Sequence, residues 1–238
     1  MNNRILSILL LAGLLSSTSL TAQETQPESQ NIGKIRGMRF IPYPDYSGLP
    51  YLYDKFLIGE IELSDGTKVG NIGLRYSTYR DEIIYFNTAI SAQIQIDKIS
   101  LKGFSFTDEK GIKRIFRRQF YNSYFKEERF FEVLSDGQPA LLAYRKVDLG
   151  TCDPSYNKFG LSYQSSYAYY MYSAEKGYSL LRLNRNSLLS KFDKPNQKLV
   201  KKILRKNNLW IIDEPSFIKA WNLIMEKGIT INFENSIH

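Results

Sequence analysis

Two hydrophobic periods divide the chain. Between residues 56 and 183, apolar positions recur every second residue in short runs; beyond 184 they recur every third or fourth. The first spacing marks strands with one buried face, the second amphipathic helices. Phe56 to Leu63 sets the pattern, with Leu57, Ile61 and Leu63 on one face and Glu60 and Glu62 on the other. Asp65-Gly66 follows as a hairpin turn, because glycine tolerates the positive φ such turns require. Ile72, Leu74 and Tyr76 then alternate with Asn71, Arg75 and Ser77. Ile83 to Phe86 reads as a strand, and Gln93 to Ile96 with Ile99 to Phe106 as one long or broken strand. Phe106 and Ile115 are joined across Asp108-Glu109-Lys110-Gly111. Phe130 to Leu134 and Ala140 to Tyr144 are joined across Asp136-Gly137-Gln138-Pro139. Gly150 to Ser166 reads as irregular. Tyr167 to Tyr172 and Tyr178 to Leu183 form a last hairpin around Ala174-Glu175-Lys176-Gly177.

Past that point the spacing predicts a short helix over Ser187 to Phe192, capped by Asn184 or Asn186. Pro195 opens a second helix, whose stripe Leu199, Val200, Ile203 and Leu204 opposes Lys198, Lys201, Lys202, Arg205 and Lys206. Asn207-Asn208 ends it. Asp213 with Pro215 opens a third, carrying Phe217, Ile218, Trp221, Ile224 and Met225, and Gly228 closes it. The fold class is therefore α+β, mainly antiparallel β. Nine or ten strands form a curled meander sheet, a sandwich or a partly open barrel, and two or three C-terminal amphipathic helices cover one face. The boundaries fall at 49–183 for the β domain and 184–238 for the helical cap. Residues 23–48, rich in Gln, Glu, Pro, Ser and Gly, read as a linker or N-terminal arm in which Phe40, Ile41 and Tyr43 could dock on the body.

The first 22 residues read as a signal peptide. Arg4 gives a positive start, Ile5 to Leu15 an apolar stretch, and Ser16 to Ala22 a small polar cleavage region, with cleavage after Ala22 or Gln23. About 11 apolar residues are too few to cross a hydrocarbon core of roughly 30 Å. No cysteine lies near the cleavage site, so the chain is not expected to be a lipoprotein. No later segment is long and apolar enough to span a membrane. The expected location is periplasmic or secreted.

Composition narrows the chemistry. Of 238 residues, 43% are hydrophobic and 24% charged, which fits a packed globular protein and excludes whole-chain disorder. Seventeen Tyr and 14 Phe accompany only one His and one Cys. Cys152 alone allows no intramolecular disulfide, and its neighbour Asp153 would raise rather than lower its pKa. With His238 the final residue, a Ser–His–Asp or Cys–His site lacks its base. Ligand spacing for zinc or calcium is missing, as is a glycine-rich phosphate loop, so no metal or cofactor is expected. What remains is carboxylates, Tyr and Lys. Asp81-Glu82, flanked by Tyr79, Arg80 and Tyr85, is the pair for glycoside hydrolysis, although adjacent acids in a hairpin point apart and commonly form turns. Tyr163, Tyr167, Tyr169, Tyr170, Tyr172 and Tyr178 make a second candidate. Tyr167 and Tyr169 share one face with Met171, and Tyr170 and Tyr172 the other, which suits either burial under the helices or a ligand-stacking platform. Lys113, Arg114, Arg117 and Arg118, interleaved with Phe116 and Phe120, and Lys198 to Lys206 are basic clusters that fit solvated faces or an anionic surface. The net charge is +8. The leader argues against nucleic acid as partner and for lipid head groups or acidic glycans.

Gly59-x-Ile61-x-Leu63-x-Asp65-Gly66 and Leu74-Arg75-Tyr76-x-x-Tyr79-x-Asp81-Glu82-Ile83 resemble a recurrent pattern in secreted proteins of Bacteroidota-type bacteria. Phe130-Phe131-Glu132-Val133-Leu134-x-x-Gly137 with Leu141-Leu142 is similar to it, as is the tail from Lys191-Phe192 through Leu199 and Lys206-Asn207-Asn208 to the last helix. The resemblance covers roughly residues 50–225. It implies an uncharacterised family without an assigned activity, so no functional residue carries over. Asp65, Gly66, Arg75, Tyr76, Asp81 and Glu82 stand as a structural signature of the first hairpins, with Asp81 organising a turn. The leading expectation is a non-enzymatic protein binding an envelope component or a partner protein. The alternatives are a carrier of a small apolar or lipid ligand, which needs an internal cavity, and a carboxylate-based glycan hydrolase, which needs two acids in a cleft.

Overall fold

The computed structural model describes residues 29–122, 127–155 and 158–233; the side chains of 29–31, 120–122 and 127 are not described. The predicted leader with Ala22 and Gln23, the terminal His238, and the Phe120 side chain lie outside what is described.

Among the described residues eleven strands form one sheet. They are β1 (Gly37–Arg39), β2 (Leu57–Leu63), β3 (Lys68–Ser77), β4 (Glu82–Asn87), β5 (Ala92–Ile96), β6 (Leu101–Thr107), β7 (Lys113–Asn122), β8 (Glu127–Ser135), β9 (Ala140–Thr151), β10 (Leu161–Ser173) and β11 (Gly177–Leu181). Three helices follow: α1 (Arg185–Ser190), α2 (Lys194–Lys206) and α3 (Glu214–Met225). The strand order is β1-β5-β4-β3-β2-β6-β7-β8-β9-β10-β11, open at both ends. Every neighbouring pair is antiparallel. The edge strands β1 and β11 have only three and five residues, which limits the unpaired backbone offered to another chain.

The hairpins turn where the sequence predicts. Gly66, Gly111 and Gly177 all have positive φ, and the Asp65 and Asp108 carboxylates accept backbone N–H groups of their own turns. One open alternative is settled and one expectation is corrected. Of the long and the broken strand expected over residues 93–106, the broken one is found: Asp97 accepts the Ile99 N–H and caps a 3-10 turn at Lys98–Ser100, which delays the second strand to Leu101. That turn redirects the chain across the hairpins, so β6 pairs with β2 while β5 pairs with β4 and β1. Residues 150–166, by contrast, are not wholly irregular. Leu161 to Ser166 extend β10 along β9, because an antiparallel ladder continues through polar residues once its register is set. The N-terminal arm also does more than dock: β1 forms within it.

The sheet curls, and the arm stitches the curl. Tyr51 bridges Ser77 at the end of β3, and Ser47 bridges Ser162 of β10. The Val147 N–H of β9 donates to Thr78 O at 3.1 Å, and Tyr163 N–H to Ser47 O at 2.7 Å. Phe40 and Tyr43 pack edge to face within this arm, whereas Ile41 is exposed.

Register decides which side chains share the inner face. Phe116 lies opposite Glu132, and Glu132 opposite Ala143, so residues of β7, β8 and β9 point the same way at those positions. Two cores occupy that face. The first contains Phe104, Phe116 and Phe130 around Tyr76, with Phe104 and Phe116 stacked at 4.6 Å between centroids. The second lies under the helices, where Leu141, Met171 and Leu181 meet Val200, Leu204, Phe217, Trp221 and Ile224. All three helices are capped by side chains one residue ahead: Asn184, Asp193 and Asp213. Among the described residues no helix is long and apolar enough to cross a membrane.

Candidate binding site

The connection between α2 and α3 is held at both ends. Asn207 caps α2, Asn208 has φ 48°, and the Leu209 N–H returns to Leu204 O at 2.9 Å. At the far end Asp213 and Ser216 form a reciprocal cap on α3. Between these ties the side chains alternate. Leu209 and Ile211 pack against the helical core, while Trp210 and Ile212 stand out at 71% and 82% exposure. Both are large apolar side chains held outward on a connection fixed at its two ends.

Beside this connection lies an open groove of about 630 Å³, formed by the β6–β7 turn and α3. Its apolar wall is Ile112, Leu209, Pro215, Ile218 and Leu223. Its charged lining is Arg114, Glu214, Lys219 and Glu226, two of each sign.

Arg114 and Glu214 join the groove to a buried ionic network at the boundary between the two cores. Arg145 donates through Nε to Glu132 at 2.6 Å and through two nitrogens to Glu214, each at 2.8 Å. Arg114 donates to Asp108 and to Glu132, both at 2.9 Å, and lies 3.9 Å from Glu214. The Tyr169 hydroxyl donates to Glu214 at 2.7 Å, and the Tyr53 hydroxyl to Asp108 at 3.2 Å. Burial alone would raise the Glu214 pKa, yet the hydrogen bonds and charge of Arg145 hold it below its ordinary value. Burial likewise works against Asp108, and the Ile112 N–H and Arg114 reverse it to a lowered value. Burial pushes the Tyr169 hydroxyl up to about 12, with the Glu214 carboxylate adding to the rise. Both guanidinium groups are held above their ordinary pKa: burial lowers it, and the hydrogen bonds they donate to their carboxylates, with the carboxylate charge, outweigh that. A network of two cations and three anions, all paired, is a clamp. It fixes the start of α3, and with it the groove, against the sheet.

The tyrosine platform divides as the alternation predicts. Tyr169 is buried in the clamp, and Tyr167, 54% exposed, lies under Arg145 at 5.0 Å. On the opposite face, Tyr170 and Tyr172 pack with Phe131, Leu142 and Tyr178. The four candidates therefore do not converge on one ligand surface. Tyr163 joins the arm instead, its hydroxyl donating to Pro44 O.

Asp81 and Glu82 also separate. Asp81, at φ 57°, turns inward, accepts the Tyr76 hydroxyl at 2.6 Å and pairs with Lys98. Glu82 accepts the Tyr43 hydroxyl at 3.0 Å. Arg75 is sandwiched over Tyr51 and Phe56 at 4.1 and 4.5 Å. These residues and the Asp65-Gly66 turn hold hairpins in place. Cys152 is half-buried in the β9–β10 connection, its N–H bonded to Gly160 O. No three acidic, His or Cys residues among those described gather to hold a metal.

Reading the sequence missed Arg145, Glu132, Glu214, Lys98, Trp210 and Ile212. For the last two a signal existed: Leu209-Trp210-Ile211-Ile212 is a run of four apolar residues in a helix connection, where polar residues are the rule. The clamp had none, since its members lie far apart in sequence.

No protein-family model, no curated protein and no solved structure matches this chain.

Proposed function

We propose that this is a non-enzymatic binding protein of the periplasm or the cell exterior, and that it recognises a polypeptide partner through the α2–α3 connection and the adjoining groove. The exposure of Trp210 and Ile212 on a tied connection carries this reading. Hot spots of protein interfaces are enriched in tryptophan, set beside pockets that take an apolar side chain from the partner. The balanced lining of Arg114, Lys219, Glu214 and Glu226 favours a polypeptide, with its own mixed charges, over a polyanion or a lipid head group. The carrier and hydrolase alternatives gain no comparable support: aromatic rings fill the first core, and guanidinium groups hold Glu132 and Glu214.

Native mass spectrometry of the protein purified undenatured from its producing cells tests the proposal. The expected spectrum shows an added polypeptide mass that disappears in Trp210→Ala/Ile212→Ala. A lipid-sized addition, a bare monomer, or an addition retained by the double variant would each overturn it.

A further inference from the structure

We propose a second binding site on the outer face of the sheet: a trough along β6 that takes an acidic polysaccharide. The inference is independent of the α3 groove, which lies on the helix side. Outward positions on β6 carry almost no side chain, since Gly103 and Ser105 occupy the two central ones. Across the sheet Gly103 faces Glu62 on β2 and Arg117 on β7, and Ser105 faces Glu60 and Ile115. Long side chains on both neighbours overhang a small-residue floor, leaving a channel of about 540 Å³. Its walls stand two strand spacings apart, about 10 Å, which is room for one extended chain.

The walls differ in charge. On β2 the acids are already answered, Glu62 by Lys102 at 2.6 Å and Glu60 by Lys68 at 3.9 Å. On β7, Lys113 is exposed and makes no ion pair among the described residues. Arg117 pairs with Asp136, but both groups are about half exposed, and such a pair exchanges readily for another anion. Lys113 and Arg117 lie four residues apart on one strand face, about 13 Å, a separation suited to charges recurring along a polymer and too long for one small anion. Between them Ile115 offers an exposed aliphatic surface to the apolar face of a sugar ring. Opposite it lies Ser105, 8% exposed at the floor of the trough, whose hydroxyl makes no hydrogen bond among the described residues. A bilayer suits the trough poorly: a plane would touch only the rim, while the cations line a recess.

Titration of fluorescent oligogalacturonate into the purified protein tests the site, with phosphatidylglycerol vesicles as a second probe. Removing two cations that face an anionic chain should weaken binding about tenfold or more, so Lys113→Glu/Arg117→Glu should do so. Lys198→Glu/Lys202→Glu, on the exposed side of α2, should change it less than twofold. Both pairs are exposed, and circular dichroism checks that each variant folds. Equal weakening by both variants, no binding of the oligomer, or binding to vesicles alone would overturn the assignment.

Discussion

Arg145 ties the helical cap to the sheet, and Arg145→Met puts a number on that tie. The side chain is 7% exposed and joins Glu132 on β8 to Glu214 at the start of α3. Methionine keeps much of the length and removes every donor. Glu132 is then left with Arg114 alone, and Glu214 with the Tyr169 hydroxyl and Arg114 at 3.9 Å. Removing one member of a buried ionic cluster leaves uncompensated charge and costs about 3–5 kcal/mol. The exposed Arg117–Asp136 pair gives the contrast, since breaking such a pair costs less than about 1 kcal/mol. With a urea slope of about 2–3 kcal/mol/M, Arg145→Met should lower the unfolding midpoint by about 1–2.5 M, and Arg117→Ala by less than about 0.5 M. The assay is urea unfolding followed by tryptophan fluorescence, because Trp221 is buried under the cap. Adding Glu214→Gln to Arg145→Met should recover part of the loss by neutralising one stranded carboxylate. If Arg145→Met unfolds within about 1 kcal/mol of the parent, the network is not what clamps α3, and the argument from buried charge fails.

Three further outcomes follow from the same geometry. Trp221→Ala empties the centre of the helix-covered core and should cost about 3–5 kcal/mol in urea unfolding followed by circular dichroism, since the variant lacks the buried fluorescent reporter. Asp81→Ala strands the Tyr76 hydroxyl and Lys98 and should cost about 3 kcal/mol, whereas Asp81→Asn, which tolerates the same positive φ, should cost about half that. Glu214 and Asp108 have pKa values below their ordinary 4.5 and 3.8, so their stabilisation is complete above those values and lost as pH falls through the depressed ones. Unfolding midpoints should therefore decline below about pH 5, less steeply in Glu214→Gln, and a flat profile down to pH 3 would contradict the clamp.

Much of this fold was legible because it is locally encoded. Leu57, Ile61 and Leu63 show their face by alternation, Asp65-Gly66 and Asp108 to Gly111 mark their turns, and Asp213 with Pro215 announces α3. What the sequence left open or misread was non-local. Whether residues 93–106 run straight depends on Asp97 capping a turn and on β2 offering a free edge to β6. Polar Gln164 to Ser166 become strand because β9 is already there to pair with. The tyrosines could be assigned to faces, but not to partners, since the Glu214 that accepts from Tyr169 lies 45 residues away. The clamp is the extreme case: Asp108, Arg114, Glu132, Arg145 and Glu214 sit on four strand or turn elements and a helix, and no spacing rule links them.

Trp210 and the groove beside it are proposed to meet a partner chain. A photoreactive phenylalanine derivative in place of Trp210, irradiated in intact producing cells, tests this most directly, with the same group in place of Leu199 on α2 as the control. Position 210 should give one discrete polypeptide adduct and position 199 none, and the adduct should be lost when Ile218→Asp is added in the groove. No adduct at 210, or the same adducts from both positions, would contradict the proposal.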